Sequence, residues 1–322
     1  MKLSAIYKQG KHYFKKKEFG LLLDYVESGF IRKHDRRIID HYTFRQKCID
    51  TQPATTSCRV LGLNFMTPVI MSSMTMPIPA IADDGLFQVA KGLKAAGSLM
   101  WTGTPIPKNL AEIVETGVLL AANVKPFKDR KKMNSDIDTI IECGVHWLGL
   151  EIDVGVGTKV RDKEMGFDCH PLATDEIEEI KRRIDIPLAC KGVLSKEDAV
   201  KCVEAGADII VVSSHGGHTL DYLPHPFQVM DEIVSTVKKH AAIIVDGGFR
   251  RGSDVLKGLA FGADLVGLGR PILYALAAGG EAGVKDLVIE ITRELERLMT
   301  MAGTFEPGEI TRDVLIKKYH TR

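Results

Sequence analysis

From residue 66 onward, short apolar and β-branched runs alternate with stretches of helical period, as expected of repeated βα units around a buried parallel sheet. Strands are predicted at 67–73 (TPVIMSS), 98–103 (SLMWTG), 119–124 (LLAANV), 147–153 (WLGLEID), 188–193 (LACKGV), 209–214 (IIVVSS), 242–248 (AIIVDGG) and 265–271 (LVGLGRP). Between them, helical periodicity falls at 82–95, 107–116, 134–143, 174–184, 196–205, 227–239 and 252–261. SKED (195–198) and TDEIEE (174–179) place Ser or Thr just ahead of Glu, which suits helix N-caps. A long amphipathic run at 280–303 predicts a closing helix. Eight strands with interleaved helices fit an α/β fold of the (β/α)8 TIM-barrel class better than an open doubly wound sheet. Residues 61–322 are read as that barrel, and residues 1–60, with helical patterns in KKEFGLLLDYVESG and DRRIIDHYTFRQ, as an N-terminal helical cap.

Composition narrows the partners. With 45% hydrophobic residues in 322, the chain buries a sizeable core, which excludes a disordered chain and a small disulfide-stapled one. Forty-three basic against 42 acidic residues leave a net charge of +1, so no overall field draws the protein to nucleic acid or an acidic membrane. The basic runs at 15–17 and 32–37 are read as solvated helix faces, because acids interleave with them. The six cysteines have no CxxC pairing and read as reduced thiols. There is neither a signal-peptide apolar stretch nor a run long enough to span a bilayer, so a soluble cytoplasmic protein acting on a small molecule is expected. His12, His34, His41, His146, His170, His240 and His320 show no metal-ligand spacing, and no metal is expected.

Barrel enzymes assemble their sites at the C-terminal strand ends. The polar residues ending the predicted strands are Ser72 and Ser73, Asn123, Glu151 and Asp153, Lys191, Ser213, Ser214 and His215, Asp246, and Arg270. His215, leaving an apolar strand into a Gly-Gly turn, is the candidate general base; its alternative is a satisfied structural histidine. Asp153 is placed to hold the imidazolium formed when His215 takes a proton. DGGFRRGSD (246–254) and GLGRP (267–271) offer glycine backbone, a helix N-terminus and arginines to a phosphate, the alternative being tight turns with solvated arginines. Lys191 ends a buried strand, where an unpaired cation is costly, so something electron-rich is expected against it. Cys190 points to the opposite side by period-two alternation and reads as packing.

Taken together, LLLDYVESG, GLNFMTPVIMSSMTMP, VKPFKDR, GLEIDVG, LACKGVLSKEDA, VVSSHGGHTLDY and the block from 243 to 284 resemble successive segments of the FMN-dependent α-hydroxy acid oxidases and dehydrogenases, the group that includes glycolate and lactate oxidases. The resemblance implies FMN as cofactor, with His215 as base, Asp153 as its carboxylate partner and Lys191 beside the flavin ring. Asp246, Gly247, Gly248, Arg250, Gly269 and Arg270 fall on the phosphate-holding positions. Ser73, Met74, Thr75 and Ser213 fall on flavin contacts, and Asn123 and Glu151 on flavin-facing positions where relatives often carry Gln and Thr. Tyr25 matches a tyrosine that helps bind the substrate carboxylate.

The departures lie at the substrate. HGGHTLD puts His218 where relatives carry a carboxylate-clamping arginine, and a histidine cannot form the same two-pronged fork. Lys125 replaces a substrate-facing tyrosine, and Lys159 or Arg161 is the approximate counterpart of a further arginine. Lys125, Lys159 and a protonated His218 bind an anion as point charges, or the pocket takes a different substrate. A shorter segment between strands 4 and 5 predicts a more open mouth. The reaction implied is oxidation of a 2-hydroxy acid or related alcohol, with oxygen, a quinone or a redox protein as acceptor. The alternatives are a non-redox FMN barrel such as a type 2 isopentenyl diphosphate isomerase, faintly echoed in MSSMTMP and FIRKHDRR, and a flavin binder with a decayed substrate site. Tetramers are frequent in the family, so a homo-oligomer is expected.

Overall fold

The computed structural model describes residues 1–17, 26–155 and 166–318. Its centre is an eight-stranded parallel sheet of β4 (Val69–Met71), β5 (Leu99–Thr102), β6 (Leu119–Val124), β7 (Trp147–Glu151), β8 (Leu188–Val193), β9 (Ile209–Val212), β10 (Ala242–Val245) and β11 (Leu265–Leu268). In space the order runs β4-β11-β10-β9-β8-β7-β6-β5. The two end strands meet through the Ser98 hydroxyl donating to the Val69 carbonyl at 2.7 Å and the Met74 amide donating to the Trp101 carbonyl at 3.0 Å, which brings the sheet close to a closed barrel. All eight predicted strands are present: β6 and β8 span the predicted ranges, and the other six are shorter because C-terminal residues leave the ladder toward the site.

Residue parity divides the packing. One set of alternating positions, Ile70, Trp101, Ala121, Trp147, Ala189, Val211 and Ile244, fills the interior, together with Phe65 from the antiparallel hairpin of β2 (Cys58–Val60) and β3 (Leu63–Phe65). The other set, including Met71, Leu148, Cys190, Val212 and Val245, packs outward against the helices. Carrying the interior parity one step past the apolar layer gives Ser72, Asn123, Glu151, Lys191, Ser213 and Asp246, so the fold delivers polar groups to one mouth. Cys190 takes the outward side as expected, and all six cysteines are free thiols.

Helices α3 (Gly85–Ala95), α4 (Leu110–Glu115), α5 (Arg130–Glu142), α6 (Thr174–Arg182), α7 (Lys196–Glu204), α8 (Met230–Val237) and α9 (Gly252–Ala260) surround the barrel. The Ser195 hydroxyl caps α7 by accepting from the Asp198 amide at 3.1 Å. At α6 the cap falls one residue earlier than expected: Thr174 lies inside the helix, and the Glu176 carboxylate reaches back to the Ala173 amide at 2.8 Å. The last helix, α10 (Arg270–Ala302), is interrupted at Gly279 and Gly280, the latter at φ +58°, so the closing helix begins where the sequence pattern placed it.

Before the barrel stand α1 (Leu3–Lys16) and α2 (Phe30–Ile39). Most of the KKEFGLLLDYVESG pattern lies outside the described residues. DRRIIDHYTFRQ is helical only to Ile39; Tyr42–Phe44 forms β1, paired antiparallel with β12 (Leu315–Lys317), a partner more than 270 residues away that local periodicity cannot report. The run at 32–37 also departs from a solvated face: Asp35 is buried, and Arg36 donates two 2.9 Å hydrogen bonds to the buried Asp254 carboxylate of α9. Among the described residues no helix is long and apolar enough to cross a membrane.

Candidate active site

A cavity of about 1080 Å³ opens at the C-terminal strand ends, and most of the sequence-predicted groups line it. On one wall His215 and Asp153 form a pair, Nδ1 to Oδ2, at 2.8 Å. A carboxylate only accepts, so Nδ1 carries the proton and Nε2 is the basic atom. Burial pulls the Asp153 carboxyl upward, but the His215 and Lys191 charges and the His215 hydrogen bond hold it below the usual carboxylate range.

The backbone is built around this pair. Residues 215–217 make one tight turn with φ of +53°, +64° and +80°; the two glycines adopt this region freely, whereas His215 is held there by its surroundings. The Ser213 hydroxyl accepts from the His215 amide at 3.0 Å, so Ser213 shapes the turn from behind the cavity wall. Gly192, at φ +97°, passes so close to Asp153 that a Cβ there would lie 2.2 Å from the carboxylate carbon. That glycine directly follows Lys191 and accompanies the register shift between Lys191 and Val193.

Lys125, Glu151 and Lys191 sit side by side on neighbouring strands. Lys191 is the register partner of Glu151, and Lys125 follows the last paired residue of β6. The Lys125 ammonium lies 3.1 Å from a Glu151 oxygen, with both side chains at most 4% exposed. Asn123 stands behind them, accepting from the Trp101 indole at 2.6 Å and donating to Glu151 at 3.3 Å. Lys191 is 3% exposed, and its Nζ has no hydrogen-bond partner among the described residues. An ammonium buried in this way is costly unless an electron-rich group lies against it, and the cavity is where such a group fits. Ser73, Met74 and Thr75 line the mouth beside it, with the Thr75 hydroxyl donating to the Gly103 carbonyl at 2.8 Å.

The opposite corner is a cradle. Asp246, Gly247, Gly248 and Arg250 follow β10, and Gly269 and Arg270 open α10. A Cβ on Gly269 would meet nothing within 4 Å, so its backbone faces open cavity, and the helix N-terminus adds free N–H groups. Three supports for this loop were not legible in sequence. His225 is buried and pushed down to about 3 by desolvation; its Nδ1 accepts from the Phe227 amide, which leaves Nε2–H to donate to the Gly247 carbonyl at 3.3 Å. Asp254 accepts from the Arg250 amide at 2.9 Å, and the Tyr7 hydroxyl donates to the Arg250 carbonyl at 2.5 Å. For Asp254 and His225, a polar residue close to a Gly-rich loop was the available signal.

His218 lines the mouth after the 215–217 turn, as does Val26, whose amide donates to the Gly217 carbonyl at 3.0 Å. Tyr25, Lys159 and Arg161 lie outside the described residues, as do residues 158–165 at the start of the segment expected to open the mouth. Among the described residues no group of three potential ligands is arranged to hold a metal.

A His–Asp pair, a buried cation without a hydrogen-bond partner among the described residues and a Gly/Arg anion cradle around one cavity suit a barrel that binds a phosphate-bearing cofactor. A profile of the FMN-dependent dehydrogenases matches residues 14–174 and 168–317, and the chain belongs to that family. It is 29% identical to an L-lactate oxidase of Lentilactobacillus hilgardii, covering 94% of this chain and 91% of that protein. It is 28% identical to glycolate oxidase 1 of Oryza sativa subsp. japonica, over 91% and 90% of the two chains. A mandelate oxidase solved with 3,3-difluoro-2-hydroxy-3-phenylpropionic acid superposes with a TM-score of 0.89 at 27% identity, covering 98% of each chain.

Proposed function

We propose that this protein uses FMN to oxidise a 2-hydroxy acid, with His215 as the base, Asp153 as its positioning partner and Lys191 as the cation beside the cofactor ring. The observation that carries the reading is the 2.8 Å His215–Asp153 pair beside the same cavity as the Lys191 ammonium, which has no hydrogen-bond partner among the described residues. The cradle of Asp246, Gly247, Gly248, Arg250, Gly269 and Arg270 would hold the FMN phosphate, and Ser73, Met74 and Thr75, which line the same cavity, would contact the ring. Bound FMN supplies the acceptor for the two electrons that leave the substrate carbon.

The remaining steps fall to the chain's own residues. His215 Nε2 takes the substrate proton, and the Asp153 carboxylate stabilises the imidazolium through Nδ1–H. Lys191 offsets negative charge arriving on the ring. Glu151 balances Lys125, so that ammonium brings a hydrogen-bond donor to the mouth with little net charge. Carboxylate recognition therefore rests more on His218 than on Lys125. Six free thiols suit a reducing compartment such as the cytoplasm.

The test is turnover of the FMN-loaded protein with a panel of small, branched and aromatic 2-hydroxy acids. Peroxide release under air and reduction of a quinone analogue without oxygen separate the electron acceptors. The reading expects at least one substrate whose oxidation falls about 100-fold or more in His215→Asn. Turnover unaffected by that change contradicts it.

A further inference from the structure

Beneath the phosphate corner, Asp35 of α2 is 1% exposed, and neither of its carboxyl oxygens has a hydrogen-bond partner. Its Cβ lies 3.1 Å from where a Cβ on Gly248 would sit, so α2 packs this residue directly against the cradle backbone. The charged groups facing it come from two other elements: Arg270 at the start of α10, and Asp246 and Arg250 in the loop after β10. The next residue on its own helix, Arg36, is committed to Asp254 and Asp40. No described donor compensates an ionised carboxylate here, and burying one uncompensated is costly. Desolvation is the largest influence and raises the Asp35 carboxyl, the two arginines pull against it and Asp246 adds to it, leaving it near 7. A phosphate carrying between one and two negative charges at neutral pH adds repulsion to the same corner.

We propose that Asp35 is a proton-linked element of the phosphate cradle, neutral whenever FMN is bound, so that above neutral pH each FMN that enters brings one proton into the site. The inference rests on the assignment of FMN to this cavity. It concerns cofactor affinity, because Asp35 packs against the Gly248 backbone of the cradle. Ionised Asp35 repels the phosphate and partly neutralises the guanidinium groups that attract it; protonated Asp35 does neither.

The apoprotein is titrated with FMN between pH 6.5 and 8.5, following flavin fluorescence, and by calorimetry in two buffers of different ionisation enthalpy. The Kd for FMN is expected to change little up to about pH 7 and then to rise by up to about tenfold per pH unit. Proton uptake should be about half a proton per FMN at pH 7 and close to one at pH 8.5. Riboflavin, which lacks the phosphate, should show neither trend. Asp35→Asn should flatten the FMN profile and bind FMN at least about tenfold tighter than the parent at pH 8.5. Should that variant fail to fold, the FMN and riboflavin profiles of the parent protein decide the matter. A flat FMN profile, the same slope with riboflavin, or a slope that survives in Asp35→Asn overturns the inference. Failure to bind FMN at any pH overturns the functional reading itself.

Discussion

Gly192→Ala tests the catalytic geometry through a residue that does not line the cavity. The new Cβ would lie 2.2 Å from the Asp153 carboxylate carbon and 2.6 Å from Oδ1, in a backbone held at φ +97°. Ordinary contact begins near 3.4 Å, so Asp153 must move by about 1 Å, and a 2.8 Å hydrogen bond to His215 does not survive that shift. Left-handed backbone costs alanine about 1 kcal/mol, and overpacking adds about 1–3 kcal/mol, so stability falls by about 2–4 kcal/mol. Losing one partner of a buried charged hydrogen bond is worth about 2–5 kcal/mol, which sets the fall in kcat/KM at about 30- to 5000-fold. Steady-state kinetics of the FMN-loaded variant measure the loss, and denaturant unfolding measures the stability. If Gly192 acts through Asp153, Gly192→Ala adds little to Asp153→Asn, because both remove the same interaction. Activity within about threefold of the parent, or fully additive losses in the double variant, refutes the reasoning.

Arg36→Met leaves the Asp254 carboxylate buried without its guanidinium partner and loosens the loop that carries Arg250, so denaturant unfolding should show a loss of about 3–5 kcal/mol, with weaker FMN binding. In Gly149→Ala the Cβ would fall 1.8 Å from Asn123 Oδ1 and disrupt the link from Trp101 to Glu151; a lower midpoint and a changed tryptophan emission spectrum are expected. The raised Asp35 carboxyl makes the apoprotein pH-sensitive. Its neutral form favours the fold fully below the unfolded value near 3.8, and that advantage is lost as pH rises toward about 7. Between pH 5 and pH 8, unfolding should therefore show Asp35→Asn gaining on the parent by about 2–3 kcal/mol.

The eight strands were legible because a parallel barrel buries both faces of every strand, which writes a continuous apolar run ending in a polar residue where the chain emerges. The same strand-end pattern pointed to Lys191, Glu151 and Asp246 before any contact was known. Pairings between distant segments were not legible. Arg36 sits in a basic run that resembles a solvated face, yet its partner Asp254 is 218 residues away. Asp35 looked like a compensating acid in the same run, and only the packing of α2 on Gly248 shows it to be desolvated. At Lys125 the sequence showed a cation at the mouth, but the balancing carboxylate lies on the next strand. Tyr42–Phe44 continued a helical pattern, and its strand partner comes from the far end of the chain.

The central claim is that His215, paired with Asp153, takes a proton from a 2-hydroxy acid while bound FMN receives the electrons. Anaerobic mixing of the FMN-loaded protein with one equivalent of its best 2-hydroxy acid, followed by rapid-scan absorbance, tests it most directly. The account predicts loss of the visible flavin band with formation of one equivalent of the 2-oxo acid, slowed by two or more orders of magnitude in His215→Asn. A flavin that stays oxidised with every 2-hydroxy acid, or bleaches equally fast without His215, contradicts it.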